Sequence, residues 1–165
     1  MYLKRTVAII AGCALLLAGC DSGQGTAPTS SGCQSLTAAD IQRVAAGVTV
    51  KRTDLAPPAS LHLTCSTVFA GPSGELVVAI TEAAGGAATL AQVEQGKKAD
   101  PNKPTIETVS GLGDEAFLVN SRYLAFRSGD LVVTLETSLA PGGSPVLTAD
   151  QLRTLARIVL SAHSG

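Results

Sequence analysis

Apolar residues in this chain recur with two periods, one helical and one extended, and the switch between them divides most of the sequence into elements. Leu36-Thr37-Ala38-Ala39-Asp40-Ile41 carries a helix start. Thr37 stands at the N-cap, Asp40 at the third helical position as an acidic variant of the capping box, and Leu36 opposite Ile41 as a hydrophobic staple. Gly47 is the stop signal. Leu147-Thr148-Ala149-Asp150-Gln151-Leu152 repeats the device with Thr148 as cap, Gln151 at the third position and Leu147 opposite Leu152. Leu152, Leu155, Ala156 and Val159 then form one buried stripe, which Ile158 and Leu160 broaden. Between these ends, 87–98 predicts a third helix with Leu90 and Val93 on its apolar side, opened by Gly85-Gly86 and ended before Pro101.

The extended segments alternate. Leu61, Leu63, Cys65 and Phe69 share one parity while His62, Thr64 and Ser66 take the other, so this strand turns its cysteine inward. Gly71-Pro72-Ser73-Gly74 is a turn, and 75–81 returns as the second arm of a hairpin. A second hairpin joins 123–127 to 130–137 through Ser128-Gly129, where glycine suits a positive φ. Residues 116–119 add a strand after the Gly111-Leu112-Gly113 bend, and 105–109 or 48–51 are candidate edge strands. The order predicts an α+β domain, an antiparallel sheet of about five strands packed with N- and C-terminal helices. Leu76, Val78 and Ile80 are backed by Val77 and Ala79, and Leu131, Val133 and Leu135 by Val132. Burial of central strands on both faces explains this, and so does an open groove for an acyl chain.

Neither period governs the N-terminus. Lys4 and Arg5 precede the 12 mostly apolar residues 7–18, a run shorter than the ~20 that span a bilayer as a helix. It ends in Leu17-Ala18-Gly19-Cys20, which has the form of a bacterial lipobox. Residues 1–19 are therefore expected to be a lipoprotein signal peptide, with Cys20 carrying diacylglycerol and anchoring the chain to the outer face of the cytoplasmic membrane. Residues 21–32 contain no large apolar side chain, so 20–32 is expected to be a flexible tether with a root-mean-square span of ~19 Å. Thr26, Thr29, Ser30 and Ser31 around Pro28 are candidate O-glycan acceptors. The single domain is then 33–165. Of 4 cysteines, Cys13 lies in the signal and Cys20 takes lipid, which leaves Cys33 and Cys65. An even pair in an exported domain predicts one disulfide, and the spacing fits neither a redox pair nor a metal site.

From residue 33 onward the chain resembles the short lipoproteins of high-GC Gram-positive (actinobacterial) cell envelopes. The resemblance rests on the lipobox, a cysteine just before a Leu-Thr-capped helix, a second cysteine in the first core strand, Gly111-Leu112-Gly113-Asp114-Glu115-Ala116-Phe117, and the Phe126-Arg127-Ser128-Gly129-Asp130-Leu131 hairpin. Ser66 stands where members often carry an aromatic residue. The resemblance implies a sheet-and-helix domain similar to extracytoplasmic sensor and Mog1/PsbP-like folds, and no established activity.

Composition narrows the function classes. Among 165 residues there are 12 Lys plus Arg and 13 Asp plus Glu, and loss of Lys4 and Arg5 leaves a mature charge of −3, which is no nucleic-acid footprint. With no Trp, 2 Tyr and 3 Phe, stacking platforms for sugars or bases are out of reach. Two histidines, His62 and His163, offer little for a zinc site or a triad. His62 is read as solvated on the polar strand face, and His163 as lying in a fraying C-terminus. Asp114 and Glu115 are the adjacent carboxylates of the resemblance motif; as neighbours in an extended segment they point to opposite faces, which suits a charged turn better than an acid/base pair. Lys97, Lys98 and Lys103 make a small basic loop with Asp100, Asn102, Pro101 and Pro104, read as solvated or as a contact for anionic head groups. No catalytic residue, metal ligand or cofactor is assigned. The leading expectation is a non-catalytic binding or sensing domain with an envelope protein partner; the alternatives are a carrier of lipid or another small apolar ligand, and, third, a hydrolase requiring His62 and a carboxylate in one cleft.

Two expectations are open to direct test. Cys20→Ala should release the domain from the membrane or leave an uncleaved precursor, read by mass spectrometry and detergent partitioning; a processed variant still partitioning like wild type would refute the lipobox. A Cys33–Cys65 bond closes a loop of about 33 residues and contributes ~3.5 kcal/mol in the chain-entropy model. Reduction should lower the melting temperature by roughly 10 °C, whereas two titratable thiols in the folded, oxidised protein would rule the bond out.

Overall fold

A computed structural model describes residues 34–55, 65–82, 86–140, 142–143 and 145–163. The signal, Cys20, the tether, Cys33, Leu61, His62 and Leu63 lie outside the described residues.

Both capping boxes form. In α1 (Ala38–Val44) the Asp40 amide donates to Thr37 Oγ1 at 3.2 Å and the Thr37 amide to Asp40 Oδ2 at 2.9 Å. Burial pushes the Asp40 carboxyl up, but its bonds to Thr37 and the charge of Arg43 outweigh this and hold it below the ordinary value. The helix ends at Ala45, before Gly47. Leu36 and Ile41, the expected staple, both enter the core. At α3 (Ala149–His163) the Gln151 amide donates to Thr148 Oγ1 at 3.3 Å and the Thr148 amide to Gln151 Oε1 at 2.8 Å. His163 is the last residue of this helix and partly buried, contrary to the expected fraying, because its ring Nδ1 lies 2.8 Å from the Val159 carbonyl oxygen one turn back.

The strands are β1 (Lys51–Leu55), β2 (Cys65–Gly71), β3 (Gly74–Glu82), β4 (Ile106–Thr108), β5 (Glu115–Val119), β6 (Tyr123–Ser128) and β7 (Leu131–Thr137), with α2 (Gly86–Lys98) between β3 and β4. They form one seven-stranded sheet in the order β1-β2-β3-β7-β6-β5-β4, antiparallel throughout. The fold is therefore α+β as expected, with seven strands where about five were expected. Both candidate edges are strands, the first shifted to Lys51–Leu55. Their sequences, Lys-Arg-Thr-Asp-Leu and Ile-Glu-Thr, lack the alternation of core strands because a sheet edge is kept short and charged.

Two meanders, β1-β2-β3 and β4-β5-β6-β7, meet where β7 pairs with β3, with Val78 opposite Leu135 and Ile80 opposite Val133. α1 and α3 cover one face. Leu152, Leu155, Ala156 and Val159 pack with Cys65, Phe69, Leu76, Leu118, Leu124, Phe126, Val133 and Leu135. α2 covers the opposite face of the second meander, setting Leu90 with Phe117, Val119, Ala125 and Val132. Val132 and Val133 are thus buried on opposite faces, which accounts for the double-sided apolar pattern of β7 without a ligand. Cys65 points inward at 6% exposure, as its parity required.

Polar bonds tie the first edge to this core. Arg52 Nη1 donates to the Leu36 carbonyl at 3.1 Å, Arg52 Nε to Asp54 Oδ1 at 2.8 Å, and the buried Thr67 hydroxyl to the same Asp54 oxygen at 2.8 Å. The bonds from Arg52 and Thr67 outweigh partial desolvation and lower the Asp54 pKa.

The bend after β4 makes the closest backbone approach of the second meander. Gly113 has φ +63°, and a Cβ there would lie 2.1 Å from the Arg127 carbonyl oxygen. Gly111 has φ +71° with open space around it. Gly111→Ala should therefore cost ~1–2 kcal/mol from its backbone conformation alone. Gly113→Ala should cost more, about 3 kcal/mol, because the neighbouring strand must also move. Urea unfolding of the two variants checks the ranking, and equal losses would show that the close approach carries no energy.

Candidate functional site

A cavity of about 620 Å³ is an open groove between α2 and the segment joining β4 to β5. Leu90, Ala91 and Glu94 form its helical wall; residues 108–117 form the other. Phe117 and Leu90 supply an apolar floor. Ser110, Asp114, Glu115 and Glu94 make the rest polar.

The strand-side wall is held by a clasp centred on Arg127. The Asp114 amide donates to the Arg127 carbonyl at 2.8 Å, and Asp114 Oδ2 accepts from both the Gly129 amide and Arg127 Nη1 at 2.9 Å. Arg127 Nη1 also donates to the Gly129 carbonyl at 2.9 Å. Leu112, 2% exposed, plugs the bend into the core beneath. A carboxylate accepting from a backbone amide and a guanidinium makes charge-assisted bonds, so the wall is set before any ligand arrives.

Asp114 thus serves as the charged turn residue expected of it, bonded to backbone. Glu115 departs from the expected opposed arrangement: its Oε2 lies 3.7 Å from Arg127 Nε, so both carboxylates reach one guanidinium. The reason is register, since Glu115 pairs directly with Arg127 across β5 and β6. Sequence reasoning missed Arg127 because that pairing spans a connection whose register is visible only in the folded sheet. It also missed Glu94 and Leu90 as groove residues, although their spacing of four on a helix was available as a signal.

Another cavity, about 330 Å³, is lined by Ser128, Asp130, Leu131 and His163. A serine, a carboxylate and a histidine meet here, and the imidazole geometry decides what they can do. A carbonyl oxygen only accepts, so Nδ1 carries the proton it gives to Val159. Nε2 is buried without a hydrogen-bond partner among the described residues, so no hydroxyl is held against it. With Nδ1–H bonded to backbone and Nε2 unengaged, the nucleophile–base–orienter chain of a hydrolase is not assembled. Among the described residues no group of three or more His, Cys, Asp or Glu has the arrangement of a metal site.

The basic loop is engaged with the protein itself. Lys98 Nζ pairs with Glu94 at 2.9 Å, and Lys97 Nζ sits 3.8 Å from the centre of the Tyr123 ring. Burial raises the Tyr123 phenol to about 12, against its bond to Thr134 and with help from Glu136. Asp100 Oδ1 accepts from the amide and side chain of Asn102 at 2.9 Å, closing the turn, and Lys103 is exposed at its far end. Among the described residues no helix is long and apolar enough to cross a membrane.

In comparison with known proteins, no family model matches this chain, and neither a curated protein nor a solved structure does.

Proposed function

We propose that this chain is a lipid-anchored binding domain of the cell envelope, tethered through diacylglycerol on Cys20 at the outer face of the cytoplasmic membrane, and that the groove between α2 and the β4–β5 segment is its contact site. The observation that carries the reading is the clasp: a groove wall locked by Asp114, Arg127 and Gly129 is pre-organised, which reduces the ordering cost of binding. The lipobox Leu17-Ala18-Gly19-Cys20 supports the anchor, and a tether of ~19 Å keeps the groove close to the lipid surface. A Cys33–Cys65 disulfide would fasten the end of that tether to β2. Its support is that Leu36, three residues beyond Cys33, packs in the same core as Cys65.

The carrier alternative has less support. Of the side chains that suggested an acyl groove, Leu76 packs in the core under α3, and Leu131, Val133 and Leu135 with Val132 behind them are covered by α3 and α2. The open groove presents carboxylates as well as Leu90 and Phe117, which suits a peptide or polar surface better than a hydrocarbon chain.

A photo-reactive benzoylphenylalanine placed at Ala91, in the groove wall, should yield a discrete covalent adduct in intact envelopes. The same group at Arg157, exposed on α3, should not. Absence of an adduct at position 91, or an identical one at both, would remove the groove as the contact site.

A further inference from the structure

We infer that the domain lies on the membrane by the outer edge of β1, with Leu55 set into the lipid head-group layer and Lys51 against anionic head groups. The inference concerns a surface other than the groove, and it rests on the anchor at Cys20 proposed above.

The place where the tether meets the fold selects this edge. Leu36, in the first turn of the described chain, accepts at its carbonyl from Arg52 Nη1 of β1 at 3.1 Å. A Cys33–Cys65 bond would fasten the end of the tether to the first residue of β2, whose neighbour Ser66 stands opposite Leu55. A lipid-bearing segment with a span of ~19 Å therefore holds the β1 side of the sheet toward the bilayer. β1 is the terminal strand on that side, so nothing of the sheet lies between it and the lipid.

The side chains of β1 suit that contact. Arg52 stands opposite Phe69, so Arg52 and Asp54 turn to the core side, where they pair with each other at 2.8 Å. Lys51, Thr53 and Leu55 alternate onto the other side, and all three are exposed. The charge this side of β1 carries is thus the ammonium of Lys51. Leu55, at 46% exposure, is one of two large apolar side chains so exposed among the described residues. An exposed leucine gains by entering the boundary of head groups and acyl chains, and a lysine on the same strand face can keep its ammonium among the phosphates. The carboxylates on this side of the sheet, Glu75 and Glu136, stand on β3 and β7, two and three strands in from β1. Contact by the edge keeps them off an anionic surface, whereas contact by the whole face would press them against it. Resting on β1 also leaves β4 and the groove beside it, at the opposite edge of the sheet, open to the partner.

Leu139, the other exposed leucine at 48%, supplies the control. It follows Ser138, whose amide donates to the Glu75 carbonyl at the start of β3, whereas Leu55 lies across Ser66 from Ala79, toward the end of β3. The two leucines therefore stand at opposite ends of the first meander. The chain has no Trp, so Leu55→Trp and Leu139→Trp each give a single indole emission with the same intrinsic liking for an interface. Each full-length lipidated variant is placed in vesicles of phosphatidylcholine and phosphatidylglycerol in equal parts, with and without brominated acyl chains. Leu55→Trp should shift to the blue and be quenched by the brominated lipid, and Leu139→Trp should do neither. Adding Lys51→Gln to Leu55→Trp should lower the docked-to-free ratio about fivefold, the effect of one lysine at an anionic surface. Equal quenching of the two variants, quenching of neither, or quenching unchanged by Lys51→Gln would overturn the inference. Flotation separates it from the reading on which it rests: if the protein floats with the vesicles while Leu55→Trp stays unquenched, the anchor stands and the β1 contact falls; if it does not float, both fall.

Discussion

Everything in this fold hangs on β7 being inserted between β3 and β6. The strand carries Leu131, Val133, Leu135 and Thr137 toward α3 and Val132 toward α2, so both of its faces must be covered at once. Only the centre of a sheet with helices on both sides meets that demand. Placing β7 there joins two local meanders into one sheet, and the long connection from β3 to the far edge must then travel across the sheet. α2 makes that crossing and buries Leu90 over Phe117, Ala125 and Val132. Even Thr137, fully buried at the end of the strand, is matched: its hydroxyl accepts from the Leu147 amide at 3.2 Å and ties β7 to the entry of α3.

The groove follows from this arrangement. α2 packs over β6 and β7, Ile106 of β4 joins the cluster beneath it, and the bend after β4 stands across the groove from the helix. The bend would be free to move if it relied on its own residues, two of which are glycines at positive φ. It is held instead by Arg127, whose guanidinium meets Asp114, Glu115 and the Gly129 carbonyl. One arginine on the sheet therefore sets the shape of a wall built from another part of the chain. A rigid wall, an apolar floor and a carboxylate rim are properties suited to recognition.

The titratable groups are largely directed to structural tasks. Asp40 caps a helix, Asp54 joins Arg52 and Thr67 across the first edge, and Lys97 stacks on Tyr123. His163 anchors its ring to its own helix. Even where serine, aspartate and histidine share a cavity, the Nδ1 proton of the histidine goes to the Val159 carbonyl.

Local signals in the chain were sufficient for the parts that local physics governs. The two capping boxes, the staples, the Pro72-Ser73 and Gly129 turns and the inward parity of Cys65 each depend on residues a few positions apart, so the amino-acid order alone determined them, and with them the α+β class. The charged edge strands were legible only as candidates, because β4 spans three residues and β1 exposes nearly every side chain. What the tertiary structure decided is everything that needs two distant segments at once: the union of β3 with β7, the register that sets Glu115 opposite Arg127, the clasp from Asp114 to Gly129, and the groove these leave under α2. No short-range spacing encodes such pairings. They are selected by burying both faces of one central strand together, and that choice exists only in the assembled sheet.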